Sequence, residues 1–348
     1  MHQVRIGSKN IGIGLPSLIS LEPGGTFENF DIAKNMISVT AEAGADAIKF
    51  QTFLPGDAER MMGDKNITID FTTPKGKSKE LVLDALKRRE LLPEQWIELV
   101  NHSKKLGLSF ITAPYFPETI DFISKIGIDA IKVSKGDINN VLLIEKIAKT
   151  NLPVILDARE KLADIDIAVE ICEKHGNQQI IIMHCPSGYP TKNSGVHLNA
   201  IKTIQQKYDY PVGFADHSLG GLMNYAAIAL GVNMIEKTIT INKQKEQVEH
   251  FMSLELEELS NFVKNIKAVE EALGDSQILN KSRVEDTARR SLTAKQKICK
   301  GEIITFSKLD FKRPGNIGIS VSKGFEVLNK KATKDISEGE FIQWDMLD

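Results

Sequence analysis

Short apolar runs alternate with longer amphipathic stretches between about residues 15 and 275. The short runs are mostly apolar throughout, as in parallel strands buried on both faces, whereas the longer stretches follow the 3.6-residue period of a helix. The predicted strands are Ser17–Leu21, Asp46–Gln51, Leu108–Thr112, Asp129–Ser134, Pro153–Asp157, Gln179–His184, Pro211–Ala215 and Asn233–Thr238. The predicted helices include Phe30–Ala43, Pro117–Ile126, Asn139–Lys149, Ala163–Lys174, Leu198–Lys207 and Leu254–Leu273. Eight strand–helix units in succession predict an α/β fold, a (β/α)8 TIM barrel.

A doubly wound open sheet is the alternative fold, since periodicity does not distinguish a closed sheet from an open one. The number of units favours the barrel. The absence of a GxGxxG turn after a strand also favours it.

Two segments depart from this alternation. Residues 53–92 form a long polar excursion after the second strand. Its length and sequence predict a hairpin or lid over the barrel. We interpret it as a solvated segment rather than a binding motif. After Gly274 the pattern changes to a polar stretch and then to short strands with turns. We therefore predict a barrel domain at 1–274, a linker at 275–287 and a small, mostly β domain at 288–348.

The composition excludes several classes of partner. The 348 residues include 44 Lys and Arg against 46 Asp and Glu, and a net charge of -2 gives no general attraction to nucleic acid or an anionic membrane. No apolar run approaches the roughly 18 residues of a membrane span, and the N-terminal MHQVRIGSKN lacks the apolar core of a signal peptide. The three cysteines are widely spaced, which indicates reduced thiols. We expect a cytoplasmic protein.

Charged and polar residues follow the predicted strands, where a TIM barrel has its active site. They are Lys49 and Gln51; Lys132, Ser134, Lys135 and Asp137; Asp157 and Arg159; His184, Ser187 and Tyr189; Asp216, His217 and Ser218; and Glu236, Lys237 and Thr238. Burial of charge at a strand end is costly unless the charge is paired or bound to a ligand. Several lysines around one pocket indicate an anionic substrate, such as one with a carboxylate and a phosphate.

Each of these residues also has a purely structural interpretation. A single strand-end lysine can be solvated or can form an internal salt bridge, and His217 can be a structural histidine. His184 ends an apolar strand, so we expect it to be structural. Cys185 is expected to be a small buried residue rather than a nucleophile.

Taken in chain order, these strand ends resemble the sialic acid synthase family, which comprises N-acetylneuraminate, legionaminate and pseudaminate synthases. The stretches that carry the resemblance are AGADAIKFQTF (43–53), IDAIKVSKGDINN (128–140), HCPSGYP (184–190), VGFADHSLG (212–220), MIEKTIT (234–240) and VEHFMSLELEEL (248–259). The segments ARRSLTAKQKICKGEIIT, KRPGNIGIS and KKATKDISEGEFIQWDML resemble the family's C-terminal antifreeze-like (SAF) domain.

The resemblance implies a transferase that condenses phosphoenolpyruvate with an N-acyl hexosamine. In such a reaction C3 of phosphoenolpyruvate attacks the sugar aldehyde, water adds at C2 and phosphate leaves, which gives a nine-carbon 2-keto acid. A divalent cation, Mn²⁺ or Mg²⁺, polarises the aldehyde. By resemblance Lys49 and Lys132 bind phosphoenolpyruvate, His217 is a metal ligand, and Glu22 stands for the catalytic acid if the register shifts by one residue.

Further substrate contacts follow from the same resemblance. They are Gln51, Ser134, Asp137, Ser187, Tyr189, Glu236 and Glu249, the last in place of a family Asp that recognises sugar hydroxyls. Arg313, in KRPG, is implied to reach the N-acyl group of a sugar in the partner's barrel, so the resemblance predicts a domain-swapped homodimer.

This sequence also departs from the family pattern. The family's second metal histidine lies in the motif EKHFT, and Thr238 stands in its place here. Thr is a poor metal ligand, so Glu236, His250 or additional water would have to complete the coordination of the metal. The motif AEIGxNHNG is replaced by SLEPGGTF. Where the family has hydroxyl side chains that bind phosphate, this sequence has Ala113, Lys135, Asp157 and Ala215. These changes indicate a divergent sugar, such as a 6-deoxy diacetamido hexose.

Two other functions remain open from the sequence. One is a Schiff-base aldolase on the same barrel, with Lys132 or Lys237 as the nucleophile. The other is a non-catalytic protein that binds phosphoenolpyruvate or a sugar, since the second histidine and several hydroxyls are lost.

Overall fold

Eight parallel strands close into a barrel in the computed structural model, which describes residues 2–159, 161–274 and 287–348. The barrel strands are β3 (Leu18–Glu22), β4 (Ala47–Gln51), β7 (Ser109–Ala113), β8 (Ala130–Val133), β9 (Val154–Asp157), β10 (Ile180–His184), β11 (Val212–Asp216) and β12 (Met234–Thr240). The barrel closes because β12 pairs with β11 on one side and with β3 on the other. The predicted TIM barrel is therefore confirmed, and the open sheet is excluded.

A helix follows each barrel strand and packs on the outside of the barrel. These helices are α1 (Phe30–Glu42), α4 (Pro93–Lys105), α5 (Pro117–Ile126), α6 (Val141–Ala148), α7 (Leu162–Lys174), α8 (Asn199–Lys207), α9 (Leu222–Ala229) and α10 (Leu259–Leu273). Helix α1 illustrates the local cause: the Asn29 side chain accepts the Ile32 N–H and caps the first turn, and one face buries Met36 and Ile37.

The predicted helix Leu254–Leu273 begins five residues late. Residues Leu254–Glu255 form a short strand, β13, that extends the pairing of β12. The Glu258 side chain accepts the Glu255 N–H at 2.7 Å, which stabilises this non-helical segment before α10.

An N-terminal hairpin was not predicted from the sequence. Strands β1 (Val4–Ile6) and β2 (Lys9–Ile11) pair antiparallel, and their apolar side chains join the barrel's inner core. The turn at Gly7 lies against Ser109 and Asp129, which begin or precede β7 and β8. The hairpin therefore covers the amino-terminal ends of the strands, opposite the expected active site.

The excursion after β4 contains α2 (Asp57–Met61), a hairpin of β5 (Thr68–Thr73) and β6 (Gly76–Leu81), and α3 (Val82–Lys87). The predicted hairpin is confirmed, but the interpretation of the segment as merely solvated is wrong. Phe71 and Ala85 pack with Val248, and the Thr72 N–H donates to the Tyr189 carbonyl at 2.8 Å. One face of this segment is thus held against the loops at the barrel mouth.

The C-terminal unit has its own core and is mostly β, as predicted. Strands β14 (Ser291–Ala294) and β15 (Leu309–Lys312) pair antiparallel, and a short helix, α11, spans Gly324–Val327. The buried side chains of this core include Leu292, Ile298, Ile304, Ile319, Ile336 and Ile342. The predicted linker 275–287 lies outside the described residues except for Thr287.

Within the described ranges, the helices are all too short or too polar to traverse a lipid bilayer.

Candidate active site

The inward face of several barrel strands changes from apolar to charged towards the carboxyl end. On β4, Ala47 lies in the inner core, and Lys49 and Gln51 follow at two-residue steps on the same face. The intervening Ile48 and Phe50 face the helices and pack in the outer core. This alternation places charged side chains together at the carboxyl ends of the strands.

These side chains surround a cavity of about 240 Å³. Nine of the predicted site residues line it: Glu22, Lys49, Gln51, Lys132, Ser134, Tyr189, His217, Glu236 and Glu249. Lys135, Asp157, Arg159 and Thr238 line it as well. The structure therefore brings together most of the residues that the strand ends and the resemblance predict.

Two buried lysine–glutamate pairs occupy the floor of the cavity. Lys49 donates to Glu22, and Lys132 donates to Glu236. Burial alone would raise the pKa of Glu22, but the charges of Lys49 and Lys132 hold it well below its ordinary value. Burial alone would lower the pKa of Lys132, yet Glu236 raises it above the ordinary value. Glu22 is therefore ionised and Lys132 is protonated at neutral pH.

Arg159, two residues after the end of neighbouring β9, adds a third cation. Its Nη2 lies 2.9 Å from Asp157 Oδ2, and its Nε lies 3.3 Å from Oδ1. Burial opposes the charged form, but Asp157 raises the pKa of Arg159 above its ordinary value. Among the described residues that line the cavity, five cations face four carboxylates, so the site carries a net positive charge. Such a site favours an anionic ligand.

His217 follows β11 and stacks on Tyr189, with ring centroids 5.3 Å apart. Burial and the charge of Arg159 lower the pKa of His217 well below its ordinary value, so the imidazole is neutral. Fully buried Lys237 donates to Asp216 Oδ2 at 2.8 Å and to the Ser218 carbonyl at 2.5 Å. These bonds fix the residues on either side of His217.

Three unpartnered polar atoms on the cavity wall fit a divalent cation. In the described part of the chain, His217 Nδ1, Glu236 Oε2 and Thr238 Oγ1 are buried without a hydrogen-bond partner. His217 follows β11, and the other two lie on adjacent β12, so together they offer one nitrogen and two oxygen donors. The described residues contain no group of three His, Cys, Asp or Glu side chains that could hold a metal. A cation here would keep several waters, as Mg²⁺ does in proteins.

Some predicted site residues are not brought to the cavity. Asp137 lies on a single 3-10 turn, where its carboxylate accepts from Asn140 Nδ2 at 2.9 Å, and it does not line the cavity. Ser187 is on an exposed turn outside the wall. His250 is fully buried, bonds through Nδ1 to Thr240 Oγ1 at 2.7 Å and does not line the cavity.

Two predictions about structural residues hold. His184 Nε2 lies 2.7 Å from the Val196 carbonyl, as expected for a structural histidine. Cys185 is buried, and burial raises the pKa of its thiol, which disfavours the reactive thiolate.

Arg313 is exposed in the C-terminal unit.

Arg89 is a site residue that the sequence reasoning missed. It follows α3 in the 53–92 excursion, lines the cavity and donates to Glu249 Oε1 at 3.2 Å. The unusual length of the excursion was the available signal, since long loops in compact domains commonly carry function. Apolar side chains of the same segment, among them Ile69, Val82 and Leu86, line the cavity beside Arg89.

Comparison with known protein families shows to which family the chain belongs. The model of the NeuB family matches residues 36–278, most of the barrel unit and more than half of the chain. The chain belongs to the NeuB family. The SAF domain model matches residues 289–348 of this NeuB family member, which agrees with the small β unit.

Relatives of this NeuB family member include N,N'-diacetyllegionaminic acid synthases and pseudaminic acid synthases. It is 33% identical to N,N'-diacetyllegionaminic acid synthase of Campylobacter jejuni, over 90% of this chain and 95% of the relative. It is 37% identical to an uncharacterized protein of Methanocaldococcus jannaschii over 100% of this chain and 99% of that protein. The crystal structure of the N-acetylneuraminic acid synthetase of Leptospira borgpetersenii superposes with a TM-score of 0.71 at 27% identity, covering 82% of this chain and 94% of that chain.

Proposed function

We propose that this protein is a nonulosonic acid synthase. It condenses phosphoenolpyruvate with the aldehyde of an N-acyl hexosamine and releases inorganic phosphate. The observation that carries the proposal is the convergence of Lys49, Lys132 and Arg159 on one cavity at the barrel mouth. Membership of the NeuB family supports it.

The fixed cations suit a donor with two anionic groups. Phosphoenolpyruvate brings a phosphate and a carboxylate, and charge-assisted hydrogen bonds from lysine and arginine are the strong ones. Each cation is already held in place by a carboxylate, so little reorganisation is needed when the donor binds. Lys135 lies on the same wall and stands where the family has a phosphate-binding hydroxyl.

His217 and Glu236 would hold the divalent cation, with Thr238 as a weak third donor. When bound, the cation supplies Lewis-acid polarisation of the sugar aldehyde. Ionised Glu22, held by Lys49 and by Gln51 Nε2 at 3.2 Å, can accept a proton from the water that adds at C2. This differs from the acid role that the resemblance implies for Glu22, because the neighbouring lysines keep its carboxyl ionised.

The Schiff-base aldolase is disfavoured by the state of both candidate lysines. A nucleophilic amine must be neutral, and the carboxylate of Glu236 keeps Lys132 protonated. Burial lowers the pKa of Lys237, but its side chain is fully buried, bonded to Asp216 and absent from the cavity wall.

A phosphate-release screen tests the proposal. The protein is incubated with phosphoenolpyruvate, Mn²⁺ or Mg²⁺ and a panel of N-acyl hexosamines that includes 6-deoxy diacetamido sugars. We expect phosphate release with at least one sugar, a product heavier by the three-carbon acid unit in mass spectrometry, and loss of activity with a chelator. No release with any sugar, despite phosphoenolpyruvate binding in calorimetry, would instead support the non-catalytic binding protein.

Lys49→Ala and Lys132→Ala test the donor site. Each removes one fixed cation and is expected to lower kcat/KM for phosphoenolpyruvate by about 100-fold or more. Lys34→Ala, at a surface salt bridge with Glu98 on the outer helices, is the matched control and should keep full activity. Undiminished turnover in both active-site variants would remove these residues from the proposed mechanism.

We also propose that the active form is a homodimer in which Arg313 of one chain serves the barrel of the other. The motivation is the family resemblance of KRPG and the exposed position of Arg313. This arrangement would bring a further contact to the N-acyl group from the partner chain.

A further inference from the structure

Tyr115 is a residue of the cavity wall that neither the pattern of strand ends nor the resemblance predicts. It lies two residues after β7, and its side chain contacts two parts of the molecule. The ring packs in a small apolar core of the 53–92 excursion, where its centroid lies 4.7 Å from that of the fully buried Phe53 ring. The hydroxyl reaches the cavity beside Gln51 and Ser134.

A directed series of hydrogen bonds starts at this hydroxyl. Tyr115 Oη donates to Gln51 Oε1 at 2.9 Å, and Gln51 Nε2 donates to Glu22 Oε1 at 3.2 Å. Burial raises the pKa of Tyr115, so the hydroxyl keeps its proton and remains a donor. Since this one proton is used toward Gln51, Ser134 Oγ, 3.4 Å away, is the donor in its own contact with Tyr115. The series therefore ends on ionised Glu22.

The partners of Gln51 determine which way its amide points. An ionised carboxylate only accepts hydrogen bonds, so the amide nitrogen faces Glu22 and the amide oxygen faces Tyr115. A phenylalanine in place of the tyrosine would take this donor away from the amide oxygen. The long glutamine side chain would then be held through its nitrogen alone.

Glu22 depends on the amide because its two hydrogen-bond donors act on the same oxygen. Lys49 and Gln51 Nε2 both bond to Oε1. The charge of Lys49 would be shared with the phosphate or carboxylate of phosphoenolpyruvate, so its bond to Glu22 would weaken on binding. The Gln51 amide is neutral and gains much less from an anion. Its contact is therefore the one that keeps Glu22 in place during the reaction.

We infer that Tyr115 is a positioning residue for the base of the reaction. Its hydroxyl holds the Gln51 amide, and the amide holds the Glu22 carboxylate while Lys49 engages phosphoenolpyruvate. The ring is fixed in the core of the excursion, so this long segment supports the base in addition to forming part of the cavity wall. The inference rests on the proposed synthase function, with Glu22 as the group that accepts a proton from water.

Tyr115→Phe tests this role, because it removes the hydroxyl and keeps the ring in its apolar core. With a sugar that the wild-type protein turns over, kcat is expected to fall by about tenfold while KM for phosphoenolpyruvate stays within about twofold. A merely structural role would lower stability without this division between kcat and KM, and thermal unfolding measures stability separately. Tyr210→Phe is the matched control: it removes a hydroxyl that donates to Glu173 Oε1 at 2.6 Å, outside the cavity, and should keep the wild-type kcat.

A double-mutant cycle shows whether Tyr115 acts through Gln51. Gln51→Leu removes the amide and is expected to lower kcat by itself. In that background Tyr115→Phe should lower kcat by less than about twofold more, since the hydroxyl no longer has an amide to hold. Single-turnover measurements at high protein concentration keep the slower variants measurable.

The outcomes separate this inference from the proposed function. If the wild-type protein releases no phosphate with any sugar of the panel, the synthase function fails and the role of Tyr115 fails with it. If the wild-type protein turns over but folded Tyr115→Phe keeps the wild-type kcat, the inference alone is overturned. An equal loss with and without the Gln51 amide would also overturn it, because Tyr115 would then act by another route.

Discussion

At the scale of single residues, the active-site charges are paired before any substrate binds. Lys49, Lys132 and Arg159 each contact a buried carboxylate. Removal of one partner leaves an uncompensated charge, which is strongly destabilising in a protein interior. The phosphate and carboxylate of the proposed donor would share these cations, so the paired charges prepare the site for an anion.

His250 gives a residue-scale prediction for pH. Burial lowers the pKa of His250 from 6.5 to about 4, so the native state keeps this imidazole neutral while the unfolded chain takes up a proton below about pH 6.5. The free energy of unfolding is therefore expected to fall as pH decreases from about 6.5 to about 4, by up to ~3 kcal/mol from this residue.

The check is urea denaturation of the wild-type protein and His250→Asn at several pH values. The variant should be less stable at pH 7, since the hydrogen bond between His250 and Thr240 is lost, but its stability should fall less steeply below pH 6.5. The same pH slope in both proteins would contradict the assignment of a neutral buried imidazole.

At the scale of elements, the barrel strands and the hairpin of the excursion could be predicted, whereas the N-terminal hairpin and the packing of the excursion against the barrel mouth could not. Continuous apolar runs identify the strands because both of their faces are buried. In the excursion, polar residues of β6 alternate in exposure, and only a few side chains such as Phe71 pack inward. Its composition resembles that of a solvated loop, although its position over the cavity brings Arg89 into the site.

The N-terminal hairpin provides the element-scale prediction. Ile6 is fully buried in the barrel's inner core, whereas Ile13, shortly after the hairpin, is 63% exposed. Ile6→Ala is expected to lower the free energy of unfolding by about 3 kcal/mol through lost burial and a residual cavity.

Ile13→Ala is the matched control and should change stability by less than about 0.5 kcal/mol. Denaturant unfolding of both variants measures the difference. Equal stability of the two variants would mean that the hairpin contributes nothing to the closure of the barrel.

At the scale of the whole molecule, the chain joins a complete barrel to a small unit with a separate core. The proposed dimer predicts complementation between two inactive variants. Lys49→Ala disables a barrel, and Arg313→Ala disables the segment that would serve the partner's barrel. In a mixed dimer one site combines an intact barrel with an intact Arg313.

Purified Lys49→Ala and Arg313→Ala proteins, mixed and allowed to exchange subunits, are therefore expected to regain about a quarter of wild-type activity, as random pairing of subunits dictates. Light scattering should give the mass of a dimer for the wild-type protein. A mixture no more active than the sum of its components, or a monomeric mass, would contradict the shared site.

The sequence by itself determined the barrel and most of the floor of its active site. The physical reason is local: β strands alternate their side chains, so Lys49 and Gln51, or Glu236 and Thr238, must share the inward face once the strand is identified. The C-terminal domain was likewise predictable from short strands and turns after Gly274.

Only the tertiary structure decided which partner each charge has and which distant segments complete the cavity. Arg89 meets Glu249 across 160 residues of sequence, and Glu22 meets Lys49 on a neighbouring strand. Asp137 comes shortly after Ser134, which directly follows β8, yet a single turn of 3-10 helix removes it from the wall. Such outcomes depend on loop paths and on packing between remote elements, which residue periodicity does not encode.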